Sequence, residues 1–197
     1  MNLSRLSPSD FRRALLALPA MERDAWLSTA LGLREIPDDS QLPRGCVPYL
    51  PAPVDALLGA VDEVPITETD VVVDAGSGVG RAAAAIQLLS GAHVMCVELQ
   101  PQLLGVSRAL FERLESARVT HVDGDAVEQA SRLEAATVFF LYCPFSGERL
   151  SRFLEAVRPL ADRRRLRFAC VDVPLPEADW LEPRGSAAGS LQIYDSR

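Results

Sequence analysis

Residues 71–81 read VVVDAGSGVGR. Three β-branched residues run into an acid, and glycines follow at 76, 78 and 80. An unbroken apolar run of this kind suits a strand buried on both faces of a parallel sheet. Glycines directly after it suit a turn where the backbone comes so close to a neighbour or ligand that a Cβ would collide. The next residues, RAAAAIQLL, have the composition of a helix. Strand, glycine turn and helix in direct succession make the first unit of an α/β fold.

The chain downstream repeats that texture. Further strands are predicted at 93–98 (HVMCVE), 118–123 (RVTHVD), 137–143 (TVFFLYC) and 166–172 (LRFACVD), with the first taken as 70–75. Helices are predicted near 79–89, 101–116, 126–134 and 147–158. The alternation predicts a Rossmann-like, doubly wound, mostly parallel sheet. The segment PLPEADWLEP after the fifth strand is too short for a full helix and loop. The tail then carries two short strands around a Gly/Ala/Ser turn, which predicts a closing antiparallel hairpin.

Upstream, Ser7 is a predicted N-cap, with Pro8 and Asp10 in the first turn of a helix. A second helix over 20–31 ends at Gly32, and 36–53 is a Pro-rich extended connector. PVDALLGAV reads as a short helix. Residues 1–53 are thus expected to form a helical cap and connector, and 54–197 the ligand-binding domain.

Composition narrows the class. The chain has 197 residues, 48% of them hydrophobic, enough for one folded domain. Its net charge is −7 and all 20 basic residues are Arg. An acidic chain repels phosphate backbones, so general nucleic-acid binding is disfavoured. No window approaches a membrane span and the first residues lack a secretory apolar core, so a cytoplasmic location is expected. Four scattered cysteines without CxxC or His spacing predict reduced thiols and no metal site.

In a doubly wound sheet the ligand lies beyond the carboxyl ends of the strands. Two ligand classes use a glycine turn there. A dinucleotide sets its pyrophosphate over the helix, and S-adenosylmethionine sets its amino-acid end there, where Asp74 suits the ammonium. The dinucleotide spacing is G-x-G-x-x-G. Here the third glycine comes one residue early, and Arg81 holds the dinucleotide position. Glu98, about 20 residues past the turn, suits ribose hydroxyls in either case.

The pieces VVVDAGSGVGR, CVELQ, DGDAVE and FFLYCPF, in this order and spacing, resemble the class I S-adenosylmethionine-dependent methyltransferases. The likeness covers roughly 70–158, and the strand alternation extends it to about 172. The lead-in VPYLPAPVDALLGAV looks like that of small bacterial methyltransferases related to non-SET protein-lysine methyltransferases.

The resemblance implies that Asp74 and the backbone of Ala75, Gly76, Gly78 and Gly80 hold the methionine end of the cofactor. Glu98 would bind the ribose, with Leu99 against the adenine. Asp125 would accept from the adenine amino group, and the Ala126 N–H would donate to the ring. Tyr142, Cys143, Pro144 and Phe145 would flank the methyl group and the acceptor, and Tyr49 would close over the cofactor. The acceptor implied is a protein side chain, lysine being the narrower choice, or a small molecule, and the product is S-adenosylhomocysteine.

The sequence departs from the family in its C-terminal part, which is trimmed after the fifth strand, and at the fourth strand. Members that methylate amide or ring nitrogens carry Asn or Asp followed by Pro-Pro and an aromatic residue. Here the run is Tyr142-Cys143-Pro144-Phe145, with Cys143 in place of the acid or amide. A nicotinamide-dependent oxidoreductase and a non-catalytic cofactor-binding scaffold remain alternatives. The basic run 162–167 leads into the fifth strand and is expected to be a solvated loop at the amino edge of the sheet.

Overall fold

The computed structural model describes residues 3–38, 42–115, 117–184 and 190–197. Among these residues one sheet of seven strands runs in the order β3-β2-β1-β4-β5-β7-β6. The strands are β1 (Val71–Ala75), β2 (His93–Glu98), β3 (Val119–Asp123), β4 (Val138–Tyr142), β5 (Arg167–Val171), β6 (Leu181–Pro183) and β7 (Leu191–Ser196). β1 pairs in parallel with both β2 and β4, so the strand order reverses at β1. β7 pairs antiparallel with β5 and with β6. The predicted closing hairpin is therefore present, although its Gly/Ala/Ser turn lies outside the described residues.

The helices are α1 (Pro8–Leu16), α2 (Ala20–Ala30), α3 (Val54–Glu63), α4 (Arg81–Ser90), α5 (Pro101–Arg113) and α6 (Glu148–Ala161). Ser7 caps α1 by accepting from the Asp10 N–H at 3.2 Å. Gly32, at φ +69°, follows the end of α2 in the left-handed conformation that a glycine adopts at low cost. One difference from the sequence reading stands out. The stretch 126–134 forms no α-helix, only a 3-10 turn at Ala130–Arg132. The Asp125 carboxylate accepts from the Val127 N–H at 2.9 Å and the Asp125 carbonyl from the Gln129 N–H at 2.9 Å, so one capped turn forms and does not propagate into an α-helix.

The two faces of the sheet are covered differently. On one, α1 to α5 pack with Val72, Val94, Cys96, Val138 and Phe140. Phe11, Leu15 and Leu27 of α1 and α2 are fully buried there, each contributing roughly 1.5–3 kcal/mol. Ala83, Ala84 and Ala85 of α4 are buried as well, and their small side chains let helix and sheet approach closely. On the other face α6 and the coil after β5 cover Val73, Met95, Phe139, Leu141 and Phe168. Phe139 stacks on Phe168 with ring centroids 5.1 Å apart, and Phe153 of α6 meets Phe139 edge-on at 5.7 Å.

Between α2 and α3 the connector crosses the carboxyl ends of the central strands. It pairs there with the segment after β4, through an isolated Cys46–Phe145 bridge and the Val47 N–H to Pro144 carbonyl bond of 3.2 Å.

The basic run does lie at the amino edge, leading into β5. Arg163 pairs with Glu134, Arg165 with Asp195 and Arg167 with Asp70, while Arg164 donates to the Ala135 carbonyl.

Candidate functional site

A cavity opens where the strand order reverses, at the ends of β1, β2 and β4. Its floor includes Gly76, Glu98, Leu99, Asp125 and Ala126, and its far wall is Tyr142, Cys143, Pro144 and Phe145. Tyr49 and its connector neighbours form the roof. Ten of the sequence-predicted site residues thus meet around one space.

The glycine turn is held by its own amides. The Gly76 and Ser77 N–H groups donate to the Val97 carbonyl at 2.9 and 3.0 Å, and the Gly80 N–H donates to the Ser77 carbonyl at 2.8 Å. The Gly78 N–H donates to Glu98 Oε2 at 2.7 Å, and the Gln100 N–H to Glu98 Oε1 at 2.8 Å. Glu98 is only 6% exposed and ties the glycine turn to the start of α5. A carboxylate oxygen accepts more than one hydrogen bond, so these amide contacts are compatible with a hydroxyl as a further donor.

Four predicted residues sit apart from the main cavity. Ala75 is buried at the end of β1. Gly80 packs against α5, and a Cβ there would lie 2.3 Å from Ser107 Oγ. Gly78 lies under the roof, where a Cβ would sit 2.2 Å from the Tyr49 ring. Asp74 borders a small adjoining space with Tyr49, Gly76, Ser77 and Tyr142. Its Oδ2 accepts from the Ala83 N–H at 3.1 Å. Burial pushes the Asp74 carboxyl up to about 7, against the pull of that amide and with the push of the nearby Glu98 charge.

The far wall is strained. Cys143 and Asp172, at the ends of the neighbouring strands β4 and β5, have φ of +44° and +55°. The Cys143 thiol donates to the Asp172 carbonyl at 3.2 Å. Burial and the Asp172 charge both raise its pKa, so it stays a neutral thiol at physiological pH. Burial likewise raises Tyr49, to about 12.

Two arginines complete the site. Arg81 opens α4 and is 2% exposed. It donates to the Ala52 carbonyl at 2.6 Å, Ser28 Oγ at 3.1 Å and Asp24 Oδ1 at 2.7 Å. This anchors α2 and the end of the connector beside the glycine turn. Arg149, in the first turn of α6, pairs with Asp125 and donates to the Arg44 carbonyl at 3.4 Å. Neither role was legible in the sequence, because the partners lie 57 and 24 residues away. The two histidines lie elsewhere: His93 meets Thr120 and His121 meets Ser107.

Among solved structures the chain is similar to an RNA methyltransferase from Salinibacter ruber in complex with S-adenosyl-L-homocysteine. That likeness has a TM-score of 0.59 at 21% identity over 75% of this chain and 92% of the other. It is similar to cofactor-bound Rv0187 from MTB, at 0.57 and 18% over 98% and 97% of the two chains. A precorrin-6y C5,15-methyltransferase from Geobacter metallireducens GS-15 follows at 0.52 and 18%, over 73% and 87%. The fold is that of the class I S-adenosylmethionine-dependent methyltransferases. No protein-family model and no curated protein sequence matches the chain. The methyltransferase neighbours include RNA and small-molecule enzymes.

The residues fit such a cofactor in their chemistry. The glycine turn, with four amides used internally, has carbonyls and the Asp74 carboxylate left to offer, which suit an ammonium group. Glu98 suits a diol, and Leu99, Val97 and Leu103 supply apolar flanks. The room is limited by the roof. The enclosed volume is about 60 Å³, whereas small-molecule sites span roughly 300–1,000 Å³.

Proposed function

We propose that this protein is an enzyme that transfers a methyl group from S-adenosylmethionine to a protein side chain, a lysine amine in the narrower reading, or to a small molecule. The observation that carries the reading is the hydrogen bonding of the glycine turn. Its amides at 76, 77, 78 and 80 are already donated within the protein. A pyrophosphate needs such amides free, so the turn suits an ammonium-bearing ligand better than a nicotinamide dinucleotide.

In this reading Asp74 and the turn carbonyls take the ammonium, Glu98 the ribose hydroxyls, and Asp125 with the Ala126 N–H the adenine edge. Ala75, Gly78 and Gly80 shape the turn from beneath. S-adenosylmethionine, when bound, supplies a methyl group already activated by its sulfonium. The protein's own part is to orient the acceptor in line with that methyl and exclude water. Tyr142, Cys143, Pro144 and Phe145 position the acceptor. An amine has to be neutral to attack, and a dry apolar wall lowers an ammonium pKa in the needed direction. Cys143 acts through shape and its hydrogen bond to Asp172, not as a nucleophile.

Residues 1–53 serve as cap and connector, and 54–197 as the cofactor-binding unit. The connector moves off the cavity to admit the cofactor and closes over it. A cytoplasmic setting fits the four free thiols.

Thermal melts with S-adenosylmethionine, S-adenosylhomocysteine, NAD and NADP test the reading. A ligand at 100 times its dissociation constant adds about 2.7 kcal/mol. Shifts with the two sulfur compounds alone are expected. A shift with NAD or NADP alone would overturn the assignment. Binding of the sulfur compounds without turnover of any acceptor would favour a scaffold role.

A further inference from the structure

We propose that a second cavity, at the N-terminal end of α6, is an anion-binding subsite that holds a phosphate or carboxylate group of a small-molecule methyl acceptor. The link to an acceptor rests on the methyl-transfer reading above; the anion site itself does not.

This cavity has a volume of about 450 Å³ and is bounded by Arg44, Ser146, Gly147, Glu148, Arg149 and Arg152. Three arginines and one acidic residue line it, in a chain whose net charge is −7. The other clustered arginines, at 163, 164, 165 and 167, are each bound to a carboxylate or a carbonyl. Arg44 and Arg152 form no ion pair among the described residues. Arg149 is held in place by Asp125 and by the Arg44 carbonyl, so its charge is partly answered but its position is fixed.

Long-range contacts assemble the cavity. The Ser146 N–H donates to the Gly45 carbonyl at 2.9 Å, which carries Arg44 onto the start of α6. Gly45 has φ +86°, and a Cβ there would lie 3.4 Å from the Ser146 carbonyl and 3.5 Å from Arg149 Cβ. α6 begins at Glu148 after Gly147, which supplies no side-chain cap, so its first amides add positive potential on the same side. Planar guanidinium forks match phosphate and carboxylate oxygens.

Position connects the cavity to the acceptor. Ser146 to Arg149 follow the acceptor wall directly in the chain, and Arg149 borders both cavities. Arg149 faces the Asp125 side of the main cavity, but Ser146 adjoins Phe145 directly, and a molecule anchored here that follows the chain past Phe145 reaches the wall at Tyr142. A small molecule is favoured over a nucleic acid because the whole protein is acidic and repels an extended phosphate backbone.

The test titrates inorganic phosphate and glutarate into the full-length protein, with and without saturating S-adenosylhomocysteine, and follows the amide and arginine side-chain NMR signals of residues 44 and 146–152. We expect saturable shifts there that persist with S-adenosylhomocysteine bound, and the tighter of the two anions identifies the group. R44A/R152A, at two exposed positions, weakens binding by at least ~10-fold. R163A/R164A removes the same charge elsewhere and changes it less than ~2-fold. E148Q, which removes the cavity's one carboxylate, tightens binding.

The absence of saturable shifts for both anions would overturn the site. So would an equal loss in R163A/R164A, or displacement of phosphate by S-adenosylhomocysteine, which would put the anion in the cofactor cavity. Failure of S-adenosylhomocysteine to bind, with the phosphate shifts as expected, would leave the anion site standing and remove its link to a methyl acceptor.

Discussion

The floor and the roof of the main cavity are built on different length scales. The floor is the glycine turn and the ends of β1 and β2, where partners are close in sequence or adjacent in the sheet. Glu98 reaches Gly78 and Gln100 because β2 lies beside β1 in parallel register. The roof is the connector, held by the Cys46–Phe145 bridge, the Val47–Pro144 bond and the Arg81 anchor at Ala52 and Asp24. The floor is rigid because strand ends and buried carboxylates leave it one arrangement. The roof hangs on a few polar contacts, the kind of segment that opens with a low free energy. In the proposed function the floor recognises the cofactor and the roof opens to admit it.

The largest test of the floor is its buried charge. Asp74 has its carboxyl at about 7 in the folded state against 3.8 in the free group. The folded protein therefore holds a proton there that the unfolded chain has lost between those values. Stability from this group is greatest below about 4 and is lost as pH rises to about 7. At about 1.4 kcal/mol per pKa unit the total is on the order of 4 kcal/mol. Urea melts from pH 4 to 8 should show this decline, and Asp74→Asn should flatten it. A profile unchanged in Asp74→Asn would contradict the burial argument. Calorimetry in buffers of different ionisation enthalpy should also show proton release near pH 7 when S-adenosylhomocysteine binds, because its ammonium favours the ionised carboxylate.

Next in size is Glu98→Ala. Two charge-assisted bonds to backbone amides are lost along with the ribose acceptor. We expect S-adenosylhomocysteine affinity to fall on the order of 100-fold by isothermal titration. An affinity within a few-fold of wild type would mean that the ribose is not held there.

Arg81→Met tests the roof. Asp24 is half-exposed and returns to water, so the expected cost is about 2 kcal/mol, below that of a fully buried pair. The local signature is sharper: tryptic cleavage after Arg44 should accelerate by about 30-fold. Uniform cleavage across the chain would instead point to global unfolding.

The smallest effect couples floor to roof. Gly78→Ala places a Cβ into the Tyr49 ring at φ +53°. Denaturant melts should show a loss of about 2 kcal/mol, roughly 1 kcal/mol of it relieved when Tyr49→Ala is added. No relief would show that Tyr49 does not rest on the turn in solution.

Much of the floor was legible before the structure. VVVDA, HVMCVE and RFACV announce strands by their β-branched and apolar runs, and each forms one. Glu98, Asp125 and Tyr142 stand at or just past strand ends, so parallel pairing brings them together without further information. The stretch 126–134 carries a helix-start signal at Asp125, whose carboxylate does accept from the Val127 N–H, yet only a turn and a 3-10 segment at Ala130–Arg132 follow. Arg81 read only as a missing glycine, yet it is the buried cation that anchors the connector.

Sequence alone thus determined the sheet, the glycine turn and which side chains stand at the strand ends, because period, β-branching and glycine placement act over a few residues. Only the tertiary structure decided that the turn's amides are consumed within the protein, that Tyr49 rests on Gly78, and that Arg44 and Arg149 meet at the start of α6. Those facts depend on contacts between segments tens of residues apart, and chain closure, not local preference, brings them together.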